Sequence, residues 1–149
     1  MSIFAVSFNN EILGFIYAFG LIFVPWSPFN LLLCLLVIPF DGFLTYFLKR
    51  ILSRHRPGLC PKRFEVLIFD FRGREKNHSL PSGDSMQAAS FWMIMAYFGV
   101  VPGVVAAFCA GLTMLARVYY MCHYPTDTIF GAFLGVLSFF IIKSILRLP

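Results

Sequence analysis

Apolar residues run in long continuous blocks along this chain, and polar residues collect between them. The first block extends from about Ile3 to Val24, broken by Asn9, Asn10 and Glu11. Pro25-Trp26-Ser27-Pro28 ends it, because proline offers no amide donor and clashes with the preceding helical turn. A second block runs from about Phe29 to Leu48, with Pro39 and Asp41 inside it, and the polar segment Lys49–Leu80 follows. A third block spans about Ser82 to Gly99, a fourth about Gly103 to Met121, and a fifth about Pro125 to Leu146. Blocks that are continuous rather than alternating predict membrane helices, not the strands of a barrel. The expected fold is all-α, a polytopic membrane bundle of about five spans forming a single domain over residues 1–149.

Composition narrows this further. Apolar types make up 59 % of the 149 residues and charged types 13 %, against about 45–50 % and about 25 % in a soluble domain. With a mean hydropathy of +0.79, a disordered chain and an ordinary soluble fold are both excluded. The net charge of +5 is uneven, since nine of the twelve Lys and Arg lie between Lys49 and Lys76. Between hydrophobic spans such a cluster faces phosphate or lipid head groups rather than nucleic acid. The four cysteines show neither a C-x-x-C pair nor a zinc spacing. The N-terminus lacks the basic region of a signal peptide, so no cleavage is expected.

Small residues recur at helical spacing in Gly99/Gly103, Gly103/Ala107/Gly111 and Gly131/Gly135. They let helix backbones approach closely in lipid, first within the bundle and secondly in a homo-oligomer.

Charged groups near hydrocarbon are costly, so each is a functional candidate. If the spans alternate in direction, the end of the second and fourth and the start of the third and fifth share one membrane face. Three polar clusters meet there. The first, Lys49 to Pro57, reads K-x6-R-P, with Lys49 as a flexible point charge and Arg56 as a planar fork suited to phosphate. By itself it could be a basic anchor at the end of a span. The second is Pro81-Ser82-Gly83-Asp84, where Ser82 is a good N-cap and Gly83 lets an anion reach the first-turn amides. By itself it is a well-capped helix start. The third, Arg117 to Asp127, reads R-x5-H-x3-D. A carboxylate four residues after His123 can pair with the imidazole, and Asp127 in the first turn also suits the helix dipole. Asp41 lies eight residues before Lys49, two turns away on roughly the same face. It either pairs with a cation of that face or caps a helix broken at Pro39-Phe40, the structural role being preferred.

Together the clusters resemble the type 2 phosphatidic acid phosphatase superfamily, whose pattern is K-x6-R-P, P-S-G-H and S-R-x5-H-x3-D. The matching positions are Lys49, Arg56, Pro57, Pro81, Ser82, Gly83, Arg117, His123 and Asp127. The resemblance implies a phosphatase core on one membrane face, with His123 as nucleophile forming a phosphohistidine that water hydrolyses, and Asp127 orienting it. Lys49, Arg56, Arg117, Ser82 and the Gly83 amide would hold the phosphoryl oxygens. Two departures stand out. Ala116 replaces the family's usual Ser, and Asp84 replaces the His that protonates the leaving alcohol. Asp84 could serve as acid, or as base in the second step, and His78 could substitute for it.

Other phosphatase chemistries find no support. No Cys is followed by Arg at the Cys-x5-Arg spacing, no D-x-D is present, and His55, His78 and His123 form no helical metal pair. A metal-independent reaction without cofactors is expected, on a phosphorylated membrane lipid such as phosphatidic acid. A polyprenyl diphosphate phosphatase and a non-catalytic phospholipid-binding scaffold are the alternatives, the latter because of Asp84. The expected location is an integral membrane, an endomembrane such as the endoplasmic reticulum. Counting basic residues places the Lys49–Lys76 loop in the cytoplasm, whereas the family's members mostly face the lumen or exterior.

Overall fold

The computed structural model describes residues 16–20, 22–25, 27–57 and 77–148. Among these, all regular secondary structure is helical: a short segment at residues 16–20, then α1 (Pro28–Leu52), α2 (Gly83–Tyr97), α3 (Gly103–Tyr119) and α4 (Pro125–Ile145). Most of the expected first span lies outside the described residues, as do residues 58–76 of the basic loop and Cys60 within it.

Helices α1 and α4, with 25 and 21 residues, are long and apolar enough to cross a membrane. With 15 and 17 residues, α2 and α3 reach only about 22 and 26 Å at 1.5 Å per residue. They are shorter than their apolar blocks because the blocks also contain the turns that end them. In α3 the Met121 amide bonds to the Val118 carbonyl (2.9 Å) and the Cys122 amide to the Arg117 carbonyl (3.1 Å). This is a Schellman cap with Met121 in the left-handed region at φ 56°. Gly99, at φ 71°, occupies the same place after α2, where the Val100 amide reaches the Met95 carbonyl at 2.9 Å.

Helix α2 is central, packing on α1, α3 and α4. Every residue from Ser85 to Phe91 is buried, so over these two turns the helix has no solvent or lipid stripe. Its tightest partner is α4. A Cβ added to Gly135 would stand 2.1 Å from the Met86 carbonyl oxygen, and one added to Gly131 would stand 2.4 Å from that of Ser82. The α4 glycine pair is therefore used inside the chain, as small residues in membrane bundles are. Gly103 and Gly111 differ, since a Cβ on either meets nothing within 4 Å.

The apolar core lies in the half of the bundle away from the polar clusters. Leu33 and Val37 of α1, Phe91, Ile94 and Met95 of α2, and Phe139 and Ile142 of α4 meet there. At the boundary between the halves sits Asp41, fully buried. Helix α1 runs unbroken through Pro39, so Asp41 caps no helix end. Its carboxylate accepts from the Ser90 hydroxyl of α2 at 2.5 Å, and Tyr17 reaches the same hydroxyl at 3.3 Å. The role is structural, joining α1 to α2.

Candidate active site

Three pieces of chain converge at one end of the bundle. Helix α1 stops at Ser53, whose left-handed conformation (φ 42°) turns the backbone so that Arg54 and Arg56 leave the helix direction. The Ser53 hydroxyl bonds back to the Arg50 carbonyl at 2.9 Å. The incoming segment before α2 is pinned at both ends. The Ser79 amide bonds to the Arg54 carbonyl (2.8 Å) and the Ser82 amide to the Asp127 carbonyl (3.1 Å). The Schellman cap of α3 then reverses the chain, and His123 follows two residues after Met121.

His123 is only 3 % exposed. Its Nδ1 lies 2.8 Å from the Ser79 carbonyl oxygen. A carbonyl only accepts, so Nδ1 carries the proton and Nε2 presents its lone pair. Nε2 faces the Arg56 guanidinium, with Nη1 at 3.4 Å. Burial pushes the His123 pKa below its ordinary value, and the neighbouring Arg117 and Arg56 charges act in the same direction while Asp127 and Asp84 oppose them. The imidazole is thereby favoured in its neutral, nucleophilic form.

The expected His123–Asp127 pair takes a different form. Asp127 Oδ2 stands 3.8 Å from Nδ1, beyond hydrogen-bond reach, because the carboxylate is taken up by other donors. Arg54 Nη1 reaches Oδ1 at 2.7 Å, the Tyr124 amide reaches Oδ2 at 3.0 Å, and the Ser79 hydroxyl also donates to Oδ2. Ser79 thus touches both residues, its carbonyl holding the imidazole and its hydroxyl the carboxylate.

Arg56 donates to the Cys122 carbonyl at 2.7 Å and the Asn77 carbonyl at 3.1 Å, while Lys49 Nζ reaches Asn77 Oδ1 at 3.5 Å. Arg117, 1 % exposed, pairs through Nε with Asp84 at 2.9 Å. Ser82 caps α2 as expected, its oxygen 3.4 Å from the Ser85 amide, and Gly83 begins the helix against Thr45 of α1. Cys122, next to His123 in the chain, is disulfide-bonded, a pairing that its spacing from the other cysteines did not suggest.

All eight expected site residues therefore lie at this end of the bundle. Arg54, Ser79 and Asn77 were missed. Arg54 carried a signal, because it precedes Arg56 by two residues beyond a helix end, where such residues can share a side. Besides pairing with Asp127, its guanidinium lies over the Tyr124 ring at 4.2 Å. Ser79 and Asn77 act partly through backbone carbonyls, which no residue type announces.

The guanidinium groups of Arg54, Arg56 and Arg117 thus gather around a buried imidazole whose Nδ1 is fixed by a carbonyl, at one end of a helix bundle. The family model of the PAP2 superfamily matches residues 29–148, and the chain belongs to that superfamily. It is 35 % identical over 124 residues to phosphatidylglycerophosphatase B of Bacillus subtilis (strain 168), covering 76 % of this chain and 56 % of that one. It is 30 % identical over 105 residues to a lipid A 1-phosphatase of Rhizobium johnstonii, covering 68 % of this chain and 43 % of the relative. The chain thus spans about half the length of the relatives it matches. A crystal structure of a transmembrane PAP2-type phosphatidylglycerolphosphate phosphatase from Bacillus subtilis superposes with a TM-score of 0.72 at 26 % identity, over 97 % of this chain and 73 % of that one. The all-α membrane fold agrees with the expectation from the apolar blocks.

Proposed function

We propose that this chain is an integral-membrane phosphatase that hydrolyses a lipid phosphomonoester through a phosphohistidine. The carrying observation is His123, with Nδ1 fixed on the Ser79 carbonyl and Nε2 turned toward Arg56. Nε2 attacks phosphorus, the bond to the lipid oxygen breaks, and the lipid leaves as an alcohol after taking up a proton. Water then attacks the phosphohistidine, releasing inorganic phosphate and restoring the imidazole. Arg56, Arg117 and Lys49 neutralise the phosphoryl oxygens, and the Ser82 cap presents the first amides of α2. Phosphoryl transfer depends mainly on such positioning and charge stabilisation. The names of the relatives, a phosphatidylglycerophosphatase and a lipid A phosphatase, support a lipid substrate, and phosphatidic acid is the simplest of that class.

The Arg117–Asp84 pair favours one second reading, a phospholipid-binding scaffold, because Asp84 occupies a cation that phosphate needs. The two are separated by phosphate release from phosphatidic acid micelles in EDTA, comparing the wild type with His123→Ala. Release by the wild type alone, with an acid-labile and alkali-stable phosphoenzyme, supports the enzyme. Equal background release by both removes it for this substrate.

The relatives support an integral-membrane location; they come from bacteria, and the endoplasmic reticulum gains no support from them. For the catalytic face, the Cys122 disulfide speaks for the oxidising, non-cytoplasmic side, against the basic-residue count. A membrane-impermeant reductant should open it in intact cells, scored by thiol alkylation after denaturation. Opening only on lysis would return the face to the cytoplasm. A homo-oligomer through small residues could not use Gly131 and Gly135, which are covered by α2.

A further inference from the structure

Arg56 ends in a rigid planar guanidinium, so holding one edge of it sets where the rest points. Asn77 holds that edge at two places. Its backbone carbonyl accepts from Nε at 3.1 Å, and its side-chain Oδ1 accepts from Nη2 at 2.5 Å. Paired donors of this kind are what Arg offers to a carboxylate or a phosphate. With that edge taken, the remaining nitrogen Nη1 lies 3.4 Å from His123 Nε2 and 2.7 Å from the Cys122 carbonyl oxygen. Lys49 Nζ stands 3.5 Å from the same Asn77 Oδ1, so one oxygen addresses two of the cations assigned to phosphate.

Asn77 is itself held in place. Two residues on, the Ser79 amide bonds to the Arg54 carbonyl at 2.8 Å. The segments 54–56 and 77–79 are thus cross-linked twice, by backbone between Arg54 and Ser79 and by side chain between Arg56 and Asn77. The Ser79 carbonyl also fixes Nδ1 of His123 at 2.8 Å. One short stretch therefore governs both nitrogens of the imidazole: Ser79 holds Nδ1, and Asn77, through Arg56, sets what Nε2 faces. The residue type matters as well. An amide oxygen accepts hydrogen bonds but carries no charge, so it orients Arg56 and Lys49 without cancelling the charge that a phosphate needs. A carboxylate in that place would compete with phosphate, as Asp84 does at Arg117.

We infer that Asn77 is a positioning residue for phosphoryl transfer, a neutral clamp that aims Arg56 Nη1 at the place beside His123 Nε2 where the phosphoryl group binds. The inference rests on the phosphatase reading above. Asn77 is exposed, so removing its side chain opens no cavity in the core.

A double-mutant cycle separates aiming from a merely structural role. Asn77→Ala keeps the backbone carbonyl and loses Oδ1. It should lower kcat/KM on phosphatidic acid by about tenfold, the lower end for a hydrogen bond to a charged group. In an Arg56→Ala background the same substitution should cost less than about twofold, because no guanidinium is left to aim. Calorimetric titration of inorganic phosphate into the purified protein in detergent should show the same pattern in Kd, without turnover. An equal loss in both backgrounds makes Asn77 structural and overturns the clamp. Tighter phosphate binding by Asn77→Ala also overturns it, since Oδ1 then occupies the place of a phosphate oxygen. If wild type and His123→Ala release phosphate equally from phosphatidic acid, the phosphatase reading fails, and the titration still decides whether Asn77 aims Arg56 at an anion. No phosphate binding by the wild type removes the phosphate site and the clamp with it.

Discussion

Nδ1 of His123 stands 3.8 Å from the carboxylate of Asp127, and the gap is filled by Ser79. Its carbonyl accepts from the imidazole at 2.8 Å, and its hydroxyl donates to the carboxylate. Orientation of the imidazole is thus shared between a backbone group and an acid, with Arg54 holding the acid at its other oxygen at 2.7 Å.

Arg54 should therefore behave as a positioning residue. Arg54→Ala is expected to lower kcat by about tenfold to a hundredfold, the worth of a hydrogen bond to a charged group, with little change in KM. Arg54→Lys should recover part of the loss. Arg56→Ala should raise KM as well, because Arg56 faces Nε2 of His123, where the phosphoryl group is proposed to bind. Steady-state kinetics on phosphatidic acid checks this, and an effect of Arg54→Ala confined to KM would make Arg54 a substrate-binding cation instead.

The pH dependence has a definite sign. Burial, helped by Arg117 and Arg56, lowers the His123 pKa, so the neutral nucleophile survives below the ordinary histidine value of about 6.5. The acid limb of kcat/KM should fall below that pH. Arg56→Gln removes one cation and should move the limb upward. Stability follows the same linkage. The unfolded chain binds the proton more readily, so the His123 contribution is complete above about pH 6.5 and is lost as pH falls toward the folded value. An acid limb that moves downward in Arg56→Gln would contradict the assignment.

Asp84 separates the enzyme from the scaffold. Asp84→His restores the residue type of the resembling family and releases Arg117 from its ion pair, so activity should be kept or raised. Asp84→Asn should lower activity if the carboxyl group titrates in the cycle. A pH profile of Asp84→Asn that overlays the wild type would leave Asp84 with no acid–base role, and proton donation would pass to another group such as His78.

The α4 glycines should differ from those of α3. Gly135→Ala places a methyl 2.1 Å from the Met86 carbonyl oxygen, and overpacking of this kind typically costs about 1–3 kcal/mol. Gly131→Ala meets the Ser82 carbonyl at 2.4 Å and should reduce activity as well as Tm, because Ser82 caps α2 at the site. Gly111→Ala meets nothing and should stabilise, by up to about 1 kcal/mol from helix propensity. Thermal melts in detergent read all three. Equal tolerance at Gly111 and Gly135 would mean that α2 and α4 are not packed as described.

Much of this protein is written along the chain. The second to fifth apolar blocks determined α1 to α4 to within a few residues, because a membrane helix must satisfy its own backbone and bury length in hydrocarbon. The spacings around Lys49–Arg56, Ser82–Asp84 and Arg117–Asp127 also marked the polar clusters that the fold gathers at one end of the bundle, since each falls at the end of an apolar block where charge is tolerated. Tertiary structure decided what those residues hold. From spacing, Asp127 was the partner of His123. In the folded chain Arg54, Ser79 and Tyr124 compete for the same carboxylate, and donors brought from remote segments have no signature in sequence. The same holds for the glycines. Gly103, Gly111, Gly131 and Gly135 look alike in one dimension, but only the last two lie under the backbone of α2, because close approach is a property of two helices and is fixed only when they meet.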